Sequence, residues 1–147
     1  MTDSFGEVTG SWREELKEIA AVARHALEPG LQKDAWGKPI PGGSCLCGSV
    51  LLVELVERFG RARAVIRGGS GEMGTGAVDV DGEWQGHYWV EVEKDGEVLV
   101  VDITGDQFGY GPVRVLSVTE ARSFLVPGQQ AIVDEAASMI RGEVGIK

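Results

Sequence analysis

Apolar residues at Trp12, Leu16, Ile19, Ala20, Ala23 and Leu27 recur at three- and four-residue steps, so residues 11–28 read as an amphipathic helix. Ser11 and Glu14 stand at capping-box spacing at its start, and Pro29-Gly30 ends it. His25 lies two positions from Leu27 and off the apolar stripe, which marks a surface side chain. Residues 31–44, punctuated by glycine and proline, predict a loop. SCLCGSVLLVELVERF at 44–59 is apolar around most of its circumference, which predicts a buried helix stopped by Gly60. Its valines would also suit a strand, but the length favours a helix.

Period-two alternation then takes over. ARAVIR at 62–67 predicts a short strand. Residues 68–86 hold seven glycines, with only AVDV at 77–80 suited to brief pairing, and predict a long loop of the kind that serves function or motion. HYWVEVEK, Asp95-Gly96 and EVLVVDIT form the clearest unit, a hairpin over 87–104. GPVRVLSV at 111–118 predicts another strand, and Ile132, Ala136, Met139 and Ile140 a last helix closed by Gly142. Helix, helix, strands, helix is the order of an α+β fold with an antiparallel sheet, and 147 residues fit one domain.

The hairpin carries the most informative register. A two-residue Asp95-Gly96 turn pairs Lys94 with Glu97, and then Tyr88 with Ile103, Val90 with Val101 and Val92 with Leu99. That gives one apolar face. On the other, His87 and Asp102 become diagonal neighbours roughly 7–8 Å apart along the backbone, close enough for a carboxylate to reach an imidazole N–H. A three-residue loop would set Asp102 against Tyr88 and mix charged with apolar residues on both faces. The simpler role for the two residues is local: a histidine satisfied by a turn carbonyl and an aspartate capping a turn.

Composition narrows the partners. The chain is 43% hydrophobic, which excludes collagen, coiled coil and full disorder. A formal net charge of −9 argues against a nucleic-acid backbone or an anionic membrane surface as the main partner. MTDSFGEVTG lacks the basic and apolar regions of a secretory signal, and the apolar runs fall far short of the ~20 residues that span a bilayer. Cys45 and Cys47 are too close for an unstrained disulfide, so a reducing cytoplasm is the expected location.

A cysteine in the first turn of a helix faces unsatisfied N–H groups and the positive end of the helix dipole, which favour the thiolate. Beside an imidazole, such a sulfur is the nucleophile of cysteine hydrolases. Cys45 follows Ser44, the expected N-cap, and occupies the first helical position; Cys47 points about 200° away around the helix. Position favours Cys45, and the plainer role for both is as small buried hydrophobes.

Gly43-Ser44-Cys45 before a long apolar helix, the strand at Ala64-Val65-Ile66, His87-Tyr88-Trp89-Val90-Glu91 and Asp102-Ile103-Thr104 together resemble the core of the transglutaminase-like branch of papain-like cysteine enzymes. The resemblance covers residues 43–109, and its end, DITGDQFG at 102–109, is similar to small bacterial proteins of this kind. It implies a papain-like fold with Cys45 as nucleophile, His87 as general base and acid, and Asp102 as orienting carboxylate. It implies attack on an amide or thioester-like carbonyl by a peptidase, deamidase or acyltransferase, with a peptide, a protein or a small amide as substrate and no cofactor. The Cys45 backbone N–H would serve the oxyanion; Trp36 is a candidate for the second donor or a pocket wall, against the plainer role of a packing side chain. The second thiol, Cys47, and the long glycine segment before His87 depart from the pattern.

Other motifs lack their context. Gly69-Ser70-Gly71-Glu72-Met73-Gly74 matches a dinucleotide fingerprint, but no helix pattern follows to receive a pyrophosphate; its glycines better suit a lid. Cys45, Cys47 and His87 would be one ligand short of a structural zinc site, and Cys-x-Cys is tighter than zinc spacing. Asp79 and Asp81 lack the glutamate of a calcium loop. Glu91, Glu93, Asp95 and Glu97 read as a solvated hairpin edge. The competing functional class is a binding module without chemistry, using the glycine segment and Trp84 as contact surface.

Overall fold

A computed structural model describes residues 4–33, 35, 39–40 and 44–144. The chain folds as α+β, with helices packed on antiparallel sheets. Helix α1 (Ser4–Leu27) begins seven residues before the expected start at Ser11. Phe5, Val8 and Trp12 carry the three- and four-residue repeat backwards, so Ser11 lies inside a helix and its capping-box spacing marks no end. A short antiparallel pair, β1 (Gln32–Lys33) and β2 (Pro39–Ile40), occupies part of the expected 31–44 loop.

Helix α2 (Cys45–Leu55) starts at the candidate nucleophile and continues into a π-helical turn over Val56–Gly60, ending where Gly60 predicts. Among its residues, Val50, Leu52, Val53 and Val56 are buried. Burial on several sides is what its all-round apolar sequence demands. Gly48 lets this helix approach closely, because a Cβ there would lie 3.0 Å from Leu27 Cδ2 and 3.4 Å from Ile103 Cδ1. At Gly48 itself the nearest side chains come from α1 and from Ile103, just past the Asp102 strand.

The main sheet has four antiparallel strands in the order β3 (Arg63–Gly69), β6 (His87–Lys94), β7 (Glu97–Asp102), β8 (Arg114–Ser117). β6 and β7 take the expected register, with Val90 on Val101, Val92 on Leu99 and Lys94 on Glu97. Asp95 (φ 53°) and Gly96 (φ 84°) both adopt positive φ, the geometry whose twist matches a two-residue hairpin. One face of this sheet presents Ile66, Val90, Val92, Leu99, Val101 and Val115 to a helical layer of α1, α2 and α4 (Gln130–Val144).

The opposite face is also covered, at the His87 end. The glycine-rich segment is organised, not an open loop: β4 (Gly76–Val78) lies between β5 (Trp84–Gln85) and β9 (Leu125–Val126) in a second, three-stranded sheet. With α3 (Val118–Ala121), which Ser117 and Glu120 cap reciprocally, it closes a smaller core around Trp89, Val100, Phe108 and Leu125. Periodicity missed this layer because its strands are two or three residues long, too short to show alternation. Among the described residues no helix is long and apolar enough to cross a membrane.

Candidate active site

His87 opens β6 and Asp102 closes β7, so the hairpin register sets them side by side. Each is only 1% exposed. Nε2 of His87 donates to both Asp102 oxygens, at 3.0 Å each. The carboxylate has two further donors: the Thr104 backbone N–H on Oδ1 and Arg114 Nη2 on Oδ2, both at 3.0 Å. Arg114 is in turn stacked on Tyr110, its guanidinium carbon 4.1 Å from the ring centroid. Phe108 meets the His87 ring edge-on at 4.7 Å. The imidazole therefore has little freedom to rotate.

Cys45, the first residue of α2, is near enough to the imidazole to add, after Asp102, to the attraction that favours its proton. With Nε2 given to Asp102, Nδ1 is the nitrogen left for a thiol. Cys45 is half-buried, whereas Cys47, two residues on, is exposed; both are free thiols. The structure thus joins His87 and Asp102 directly, with Cys45 at the start of α2 acting on the same imidazole and Cys47 exposed. His25 is exposed on α1, and Trp36 and Gly43 lie outside the described residues.

Electrostatics favour an ionised pair. Burial opposes charge on His87, yet attraction to and hydrogen bonding with Asp102, helped by Cys45, push it from 6.5 up to about 9. Burial likewise opposes charge on Asp102, but His87, Arg114 and the Thr104 N–H hold its carboxyl below the usual range. A folded protein that keeps the His87 proton to about pH 9, against 6.5 when unfolded, has this stabilisation in full below pH 6.5 and loses it as pH rises through 9. Urea unfolding is expected to show a loss of about 3 kcal/mol across that window. A His87→Gln variant, which lacks the titration, is expected to lose that part of the pH dependence; an equally steep profile in the variant would contradict the assignment.

Sequence reading missed Arg114, Gln107 and the Arg24–Asp106 pair. Gln107 Nε2 lies 3.4 Å from His87 Nδ1. Arg24, 5% exposed, sends Nη1 and Nη2 to the two Asp106 oxygens at 2.8 Å each. Asp106 and Gln107 fall within the family-like stretch DITGDQFG, the one signal that marked them. Asp79 binds its own turn, accepting the Asp81 and Glu83 N–H groups at 2.9 Å. Compared with family models, with curated proteins and with solved structures, the chain finds no match.

Proposed function

We propose that this protein is a cysteine-dependent amidohydrolase or acyltransferase with a papain-like fold of the transglutaminase-like branch. Cys45 is its nucleophile, His87 its general base and acid, and Asp102 the carboxylate that orients the imidazole. The observation that carries the reading is a buried His87 held by Asp102 through Nε2 on an imidazole whose proton Cys45 also helps to hold. Nucleophile, base and orienting group are the parts that acyl transfer needs. The fold reading is supported by α2, with Cys45 as its first residue, packed on an antiparallel sheet that carries the other two. Free thiols suit a reducing cytoplasm.

In the reaction, Cys45 Sγ forms a bond to the carbonyl carbon of a peptide, protein or small amide as the C=O π pair moves onto oxygen. Collapse of this adduct restores C=O and breaks the C–N bond, and the amine leaves with the proton from His87. Water or a second amine then gives a proton to His87 and attacks the thioester, releasing acid or new amide and regenerating the thiolate. The choice between hydrolysis and transfer lies in the second nucleophile alone.

The test sets position against exposure. At pH 6.5, iodoacetamide is expected to modify Cys45 at least about tenfold faster than Cys47, and His87→Ala to reverse that order. Faster labelling of Cys47, the more exposed thiol, in the unaltered protein would defeat the proposal. It would leave the binding-module reading, for which Met73 (99% exposed) and Trp84 (38% exposed) on the glycine-rich segment speak.

A further inference from the structure

The Nδ1 edge of His87, the edge not taken by Asp102, is met by the side-chain amide of Gln107, whose Nε2 is 3.4 Å away, and Cys45 acts on the same ring. At that length the amide bond is weak and readily exchanged. Its position, by contrast, is firmly built. Gln107 lies on a single 3-10 turn, Gly105–Phe108. On one side Asp106 is clamped by the buried Arg24, which also donates from Nη1 to the Ile103 carbonyl at 2.8 Å. On the other side Phe108 is packed against the His87 ring. The half-buried amide is thus carried to the reacting edge of the imidazole by a turn anchored at both flanks.

We infer that Gln107 is the second oxyanion donor: its Nε2–H, together with the Cys45 backbone N–H, binds the carbonyl oxygen as negative charge develops there. This rests on the assignment of Cys45 as nucleophile. The Cys45 N–H is among the first-turn donors that an α-helix leaves without an internal partner. A single such donor is half an oxyanion site.

Protonation of His87 supplies the switch. The amide can donate to Nδ1 only while that nitrogen has a lone pair. Once Nδ1 carries a proton, as it does below about pH 9, it is a donor itself, and the amide N–H is free for another acceptor. When Cys45 Sγ bonds to the carbonyl carbon, the π pair passes to oxygen and that oxygen accepts from both N–H groups. Restoring C=O expels the leaving group with its electron pair and releases both N–H groups. Donors held in place beforehand need little reorganisation as the charge appears, which is why such sites stabilise transition states.

The experiment compares two reactions of one thiol. p-Nitrophenyl acetate acylates sulfur through an oxyanion, with p-nitrophenolate leaving; iodoacetamide alkylates it by displacement at a saturated carbon, with no oxyanion. Gln107→Met, which keeps the side-chain length without a donor, and Gln107→Leu are expected to slow acetylation of Cys45 by about 10²–10³-fold while alkylation stays within about twofold. Equal losses in both reactions would make Gln107 a structural or thiol-positioning residue and overturn the inference. Unchanged acetylation would overturn it as well. Failure of the unaltered protein to acetylate Cys45 at all would instead defeat the nucleophile assignment, and the inference with it.

Discussion

Asp102→Ala is expected to lower the unfolding free energy by about 3–5 kcal/mol near neutral pH, the largest stability change available at this site. The carboxylate is 1% exposed and receives His87 Nε2, Arg114 Nη2 and the Thr104 N–H. Its removal strands a buried imidazolium and a guanidinium whose side chain is only 12% exposed. Histidine can shed its proton in response; arginine cannot, so the cost stays large. Asp102→Asn keeps the shape and one acceptor oxygen, and its effect is expected to be smaller. Urea unfolding followed by tryptophan fluorescence measures both, and a loss below about 1 kcal/mol in the alanine variant would show that Asp102 is not the centre of the buried charge network.

On the proposed reading, the largest effect on chemistry belongs to Cys45. Cys45→Ala is expected to remove the acyl-enzyme formed with p-nitrophenyl acetate and to lower turnover by at least about 10⁴-fold, since a covalent route vanishes with its nucleophile. Cys47→Ser is expected to leave the rate within about threefold, because Cys47 is exposed and points away around the helix. Intact-mass and peptide mapping locate the acetyl group, so that acetylation of lysines is not mistaken for turnover. An acetyl group retained on Cys47 with full turnover in Cys45→Ala would move the nucleophile.

Periodicity and local capping or turn patterns reach different distances along the fold. Long elements with a clear period were readable: α2 from its apolar run, and the β6–β7 register from Asp95-Gly96 and the alternation around it. The α1 start was misplaced because Ser11 and Glu14 satisfy a local capping pattern that the helix simply runs through. The second sheet was missed because strands such as β5 and β9 owe their form to partners far along the chain.

The amino-acid order by itself determined that His87 and Asp102 share one side of a hairpin, since a two-residue turn sets the register and register sets the face. It also determined that Cys45 begins a buried helix. Only the tertiary structure decided that Cys45 at this helix start acts on His87, that Arg114 rather than solvent completes the shell of Asp102, and that Arg24 pins the turn bearing Gln107. Those contacts join residues as many as 82 positions apart. No local period encodes them; they follow from how the helical layer and the second small sheet close over the two faces of the main sheet.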